Sequence, residues 1–291
     1  MQQFLKKVRL TVSGLVINPG GMNVHELKIG FSVSKTISST ANTAEIEIWN
    51  LNEGHRNALG KELDEVTLEA GYMPPLGGDN VGVIFKGQMR DVEHRRDGPD
   101  IISKISCGDG DKAFRKATTS KSFPAGTPVK DVMEEIYSQL AKEGVSKGEW
   151  KFPDDMKDFK RPYALCGACT READRIGRGK GFYWSVQNGV MEIVPGDDSL
   201  SGTVFLSSKT GLVETPTITD NGVKFQALLN PEVRPGRRVQ IESETLEMNG
   251  EGGLYRVSQV TYEGDNRQGK FRVSGHGEAI QGGKVDEGKK P

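Results

Sequence analysis

Cys166-Gly-Ala-Cys169 is the pattern in this sequence that comes nearest to a redox or metal motif. Two thiols at this spacing exchange disulfides when they open a helix after a strand in a βαβ unit. They hold zinc when further ligands bring the set to about four. The segment before them, Lys160-Arg-Pro-Tyr163, is no apolar strand, and the other candidate ligands (Cys107, His25, His55, His94 and His276) are scattered and unpaired. Both cysteines also fit the apolar face of a helix expected from Tyr163 to Ile176, shared with Leu165. The expectation is two small core side chains.

The remaining chemistry-bearing residues read the same way. Gly177-Arg-Gly-Lys-Gly181 is glycine-rich and basic, but it ends a helix, and phosphates prefer the opposite end, where free N–H groups point outward. Glu134-Glu135, Asp154-Asp155 and Asp197-Asp198 are carboxylate pairs, yet glycoside cleavage needs two carboxyls held across a cleft, and adjacent exposed residues read as solvated faces. His55, in a short helix with Arg56 and Leu59, reads as a surface histidine. The sequence holds no Gly-x-Ser-x-Gly elbow, His-Glu-x-x-His helix or Walker loop. No catalytic, cofactor-binding or metal-ligating residue is expected, and no cofactor. The candidate interaction site is Met73, Pro74, Pro75 and Leu76, an apolar loop tip between strands, stiffened by proline so that docking costs little entropy.

Such residues must be positioned by a mainly β chain. Its 37 glycines and 13 prolines are spread along 291 residues, which suits many short strands joined by turns. Lys and Arg number 39 against 40 Asp and Glu, so the field that phosphate-backbone binding needs is missing. No stretch nears the roughly 20 apolar residues that span a bilayer. Three cysteines point to a reducing compartment and folding in a cytoplasm.

Val8, Leu10 and Val12, then Leu27 to Val33, Ala44 to Ile48, Val66 to Ala70, Val83 to Val92 and Ile101 to Cys107 alternate apolar and polar, as half-buried strands do. Arg96-Asp97-Gly98-Pro99 reads as a hairpin turn. The period changes at Thr127, an N-cap candidate followed by Pro128. Val129, Val132, Met133, Ile136 and Leu140 recur at helical steps, and Gly144 supplies a stop. Phe182 to Val186 and Val190 to Val194 form a hairpin across Gln187-Asn188-Gly189. Strands return at Val204 to Leu206, Val223 to Leu229, Val239 to Ile241, Leu254 to Tyr262 and Lys270 to Ser274.

The two strand-rich ends look alike. Ala44 to Leu51 matches Val223 to Pro231, Val66 to Glu69 matches Val239 to Glu242, Ile84 to Val92 matches Leu254 to Tyr262, and Ile105 to Gly108 matches Val273 to His276, in the same order. The expected organisation is a first β-barrel domain at 1–118, an α+β middle domain at 119–200, a second barrel at 201–280 and a mobile tail at 281–291.

Phe31-Ser-Val-Ser-Lys35 with Asn42-Thr-Ala-Glu-Ile-Glu-Ile-Trp-Asn-Leu51, Lys121-Ser-Phe-Pro-Ala-Gly-Thr-Pro-Val129, Gly181-Phe-Tyr-Trp-Ser-Val-Gln-Asn-Gly189 and Leu228-Leu-Asn-Pro-Glu-Val-Arg-Pro-Gly236 together carry a resemblance. The chain resembles phage baseplate hub proteins, the tail-tube-capping subunits similar to the amino-terminal part of type VI secretion spike proteins. The resemblance implies two tail-tube-like β-barrels per chain with an α+β insert, and a homotrimer of pseudo-sixfold outline bridging a sixfold tail tube and a threefold central spike. It implies other baseplate proteins as partners, DNA only as passing cargo, no membrane anchor, no enzyme activity, and a place in the virion tail. A tube initiator, a distal-tail ring and a tail-borne cell-wall hydrolase remain the alternatives.

Overall fold

The computed structural model describes residues 5–18, 26–59, 63–73 and 80–286, and is 51% strand and 15% helix. The first third runs through β1 (Leu5–Val12), β2 (Leu15–Asn18), β3 (Ile29–Thr36), β4 (Thr43–Trp49), α1 (Glu53–Ala58), β5 (Glu65–Met73), β6 (Asn80–Asp97), β7 (Asp100–Gly108) and α2 (Asp111–Lys116). A middle module follows: β8 (Thr118–Phe123), α3 (Val129–Lys142), β9 (Ser146–Trp150), β10 (Tyr163–Ala168), α4 (Cys169–Lys180), β11 (Phe182–Gln187) and β12 (Val190–Pro195). The last third contains β13 (Thr203–Leu206), β14 (Thr217–Thr219), β15 (Gly222–Leu228), β16 (Arg238–Ile241), β17 (Leu254–Asp265), β18 (Phe271–Gln281) and β19 (Lys284–Val285).

Alternation decides which face of each strand is buried. In β4 the core takes Ala44, Ile46 and Ile48 and leaves Glu45 and Glu47 outside. Pairing then produces the same antiparallel order twice: β4-β7-β6-β5 in the first third and β15-β18-β17-β16 in the last. Each copy also carries a bulge at one place. The ladder slips between Met89 and Asp91 in β6, and between Val257 and Gln259 in β17. Pinned by these bulges, Met89 corresponds to Val257, His94 to Tyr262 and Ser106 to His276. The β4 and β15 match is as expected, Ala44 with Val223, but the two later strands are offset by two residues from the match read in the sequence. A shift of two keeps every side chain on its face, so alternation cannot detect it; a bulge can.

The two copies are not separate bodies. The distal half of β17 pairs with β3 from Gln259↔Thr36 to Asp265↔Gly30, fusing both into one sheet. A single core of buried residues draws on both ends of the chain, including Leu10, Ile46, Leu68 and Phe85 with Phe225, Val239, Tyr255 and Tyr262. At the seam Phe271 packs edge-on against Phe31 and Tyr72, and the Tyr72 hydroxyl donates to the Phe271 carbonyl at 2.8 Å. Gly264 lets the rings close in: a Cβ there would lie 2.5 Å from Phe31 and 2.6 Å from Phe271. Among the described residues no pairing closes either copy into a ring.

The middle module has its own core, built on Val129, Val132, Met133, Ile136 and Leu140 of α3 against Leu165, Cys169, Ile176, Trp184 and Ile193. This is the helical face that the spacing predicts. Helix α3 begins at Val129 with Pro128 as its N-cap, and the Thr127 hydroxyl donates to the Pro124 carbonyl and caps nothing. The helix expected from Tyr163 is corrected: Tyr163–Ala168 is strand β10, paired with β8, and the helix starts at Cys169. A six-residue edge strand with one buried side chain, Leu165, shows no period of two to read. At the other end, Gln281 completes β18 and β19 folds back on it, with the Val285 N–H donating to the Asp197 carbonyl at 2.8 Å. The expected mobile tail is thus paired through Val285, and residues 287–291 lie outside the described ones.

Gly264→Ala is expected to lower stability by about 1–3 kcal/mol through overpacking at the seam. Denaturant unfolding of the two proteins side by side measures it.

Candidate assembly interface

The β11–β12 hairpin of the middle module inserts its turn into the end of the fused sheet. Asn188 and Gly189 both have positive φ, 57° and 76°, the type I′ geometry that Asn-Gly favours between strands. That turn presents two backbone N–H groups to one carboxylate: Asp109, fully buried after β7, accepts from Gly189 at 2.8 Å and from Asn188 at 2.5 Å. The Asn188 side chain accepts from the Lys35 ammonium, itself 1% exposed, and donates to the Val83 carbonyl at 3.3 Å. Asn42 donates to the Val186 carbonyl at 2.7 Å and accepts the Thr36 N–H at 3.0 Å, while Gln187 donates to the Thr36 carbonyl at 2.8 Å. Four segments, Lys35–Asn42, Val83, Asp109 and the hairpin turn, thus meet in one polar plug.

Burial governs the electrostatics of the plug. The Asp109 carboxyl is pushed up to about 6, mainly by desolvation, against the opposing pull of Lys35 and the two N–H groups. Lys35 is pushed down to about 8, also by desolvation, with Asp109 resisting. A second set of charges joins the module to the last third. Arg256, 1% exposed, donates to the Pro195, Gly196 and Asp198 carbonyls at 2.8 Å each and to Glu278 at 2.9 Å. Arg237 grips Glu192 through two bonds, at 3.0 and 2.7 Å. These groups tie the middle module to the sheet.

Among the described residues the cysteines and histidines are not brought together, whereas Asp154, Asp155 and Asp197 all act on the exposed Lys284 ammonium. Cys107 and Cys169 are buried, their thiols pushed up to about 12 and about 11 by desolvation, which keeps them protonated and poor nucleophiles. Cys166 is exposed on β10. His94 shares a hydrogen bond with Ser103, the His55 N–H is capped by Asn52, His276 sits on β18, and His25 lies outside the described residues. No cluster that could hold a metal ion occurs among the described residues. Glu134 pairs with Lys147 and Glu135 with Lys121, and Asp197 pairs with Lys284 while Asp198 takes Lys151 and Arg238. Gly181 ends α4 in the left-handed conformation, as the reading of Gly177–Gly181 as a helix end implies. Of the candidate loop, Met73 closes β5, and Pro74, Pro75 and Leu76 lie outside the described residues.

The residues of the plug escape a reading of the sequence, although one signal is present. Lys35 stands in phase with Ile29, Phe31 and Val33, a charge at a core-facing position of β3. Asp109 and Asn42 lie outside the strands and give no periodic sign.

Solved tail proteins share the overall fold of this chain. The 43 kDa tail protein of prophage MuSo2 from Shewanella oneidensis has this fold at TM-score 0.64 and 10% identity, over 94% of this chain and 97% of that one. So does the tail protein of Neisseria meningitidis MC58, at TM-score 0.63 and 9% identity over the same shares. The E. coli c3393 protein, a component of the type VI secretion system with structural similarity to T4 tail proteins gp27 and gp5, aligns at TM-score 0.60 and 10% identity, over 94% of this chain and 77% of its own. No curated protein matches the sequence. The profile of the Baseplate hub gp41 family matches residues 7–277, and the chain belongs to that family. It is a structural baseplate hub protein of a phage tail.

The raised Asp109 carboxyl sets a pH dependence. Between its ordinary value of 3.8 and about 6 the folded state holds a proton that the unfolded state has lost, so this group's contribution to stability falls as pH rises through that window. Wild type is expected to lose about 2 kcal/mol relative to Asp109→Asn from pH 4 to pH 6, because each tenfold change in proton affinity is worth about 1.4 kcal/mol and the titration is incomplete at both ends of that range. Chemical denaturation across that range reads the difference.

Proposed function

We propose that this hub is a non-catalytic homotrimeric adaptor, connecting a sixfold tail tube to a threefold central spike. The observation that carries the reading is the twofold recurrence of one strand order with one bulge position, β4-β7-β6-β5 and β15-β18-β17-β16. Two similar units per chain, three chains around an axis, make six tube-like β units while the subunits stay threefold. Closed cyclic symmetry is the ordinary way to assemble such a ring. Tail tube proteins, the spike and other baseplate proteins are the partners in this reading, with DNA passing through as cargo. Its place is the virion tail, after assembly in the host cytoplasm. No described helix is long and apolar enough to cross a membrane.

The non-catalytic reading is supported by the family and by the buried, ion-paired or dispersed state of the reactive residues. A tube initiator or distal-tail ring would share much of the architecture but assemble as a hexamer. The Met73–Leu76 tip, at the end of β5, is proposed as a contact with a neighbouring subunit.

Light scattering on the purified protein is expected to give a mass three times the 31.8 kDa chain, with no release of fragments from purified cell wall. A hexamer would favour the ring alternatives, and a monomer at all concentrations would remove the trimer. Leu76→Asp is expected to weaken subunit association at least tenfold if the tip docks, measured by the same dilution series.

A further inference from the structure

The fused sheet leaves two edges that match the two sides of its own internal seam. Beyond Met89 the distal half of β6 has β7 on one side, and no strand among the described residues on the other. Its counterpart in the second copy, the distal half of β17, has that side filled by β3. The counterpart of β3 is β14: Val33 pairs with Ala44 as Ile218 pairs with Val223, and Ala44 corresponds to Val223. Strand β14 pairs with β15 alone among the described residues. Each copy therefore holds one half of a junction that the chain makes once within itself.

We propose that β14 of one subunit adds to the distal edge of β6 in the next, repeating the β3–β17 pairing between chains; the inference rests on the trimer reading above. The register follows from the internal seam. Tyr262↔Val33 becomes His94↔Ile218, Thr261↔Ser34 becomes Glu93↔Thr219, and Glu263↔Ser32 becomes Arg95↔Thr217.

Burial and backbone direction both agree. Val33 and Tyr262 are 0% exposed at the filled seam, whereas Ile218 is 37% exposed and His94 is exposed on the open edges. The Asn50 N–H donates to the Ile101 carbonyl and the Ile101 N–H to the Asn50 side chain, so Ile101 faces β4. Its β7–β6 partner Arg96, and His94 two residues earlier, therefore turn their N–H and C=O groups away from β7. The Val213 N–H donates to the Gln226 carbonyl, which places alternate residues Gln226, Lys224 and Gly222 toward β14. Val223 then faces β18, and its partner Ile218 offers its own N–H and C=O to the free side. Both edges present matching donors and acceptors at the residues the register pairs. Unpaired edge strands are templates for such addition.

Glu93 and Thr219 would form a non-hydrogen-bonded pair, with Cα atoms about 4.5 Å apart, close enough for a disulfide. In a Cys166→Ser background, Glu93→Cys with Thr219→Cys is expected to oxidise to covalently closed trimers on a non-reducing gel. Glu93→Cys with Ile218→Cys puts the thiols on opposite faces and is expected to leave single chains. A trimer by light scattering whose first pair fails to bridge, or whose two pairs bridge alike, overturns this junction and leaves the hub trimer standing. A monomer throughout overturns the trimer and the junction with it. Ile218→Asp is expected to retain the strand signal in circular dichroism and to shift the mass from trimer to monomer; an unchanged trimer counts against the junction.

Discussion

Backbone pairing between β3 and β17 is the contact on which the rest of the structure depends. It joins residues more than two hundred positions apart, and it satisfies two rows of edge N–H and C=O groups that would otherwise face water or a foreign strand. Because the strands twist together, the apolar faces of both copies turn to the same side and share one core. Strand β17 divides its length, giving its first residues to β16 and its later ones to β3, with the bulge near Ser258 between them. The bulge bends the strand so that it serves two neighbours on one side.

The middle module is located on this sheet by charge and not by apolar area alone. A hairpin inserted one residue out of register would strand Lys35 and Asp109 without partners in a dry site, an error costing several kcal/mol. Buried ions add little stability in themselves, so the plug acts chiefly by making wrong placements expensive. Arg256 does the same at the module's exit, holding three carbonyl oxygens between Pro195 and Asp198. Rigid placement of this kind is what a hub needs. A structural subunit works through fixed surfaces, and a module that rocked on the sheet would blur them.

Much of this is legible in the residues themselves. Helix α3 shows its whole buried face as a periodic pattern, Asn188-Gly189 announces its own turn, and the strands of both ends alternate clearly. The internal repeat is visible in its order. Its register is not, because a two-residue offset preserves inside and outside, and only the bulges at Arg90 and Ser258 break the tie. Tyr163–Ala168 reads wrongly as helix because it is a short edge strand with no alternation to betray it. The plug stays hidden because Asp109 and Asn42 acquire meaning only when the hairpin arrives from some eighty residues or more away.

Alternation, turn residues and helical spacing act between near neighbours, so the sequence by itself determined the element types, the mainly β class, the hairpins and the recurrence of one strand order. Tertiary structure decided which edges meet, which charges are buried and in what register the two copies run. These depend on contacts between segments far apart in the chain, where backbone groups are identical at every residue and only the edges left over after local pairing select the partner.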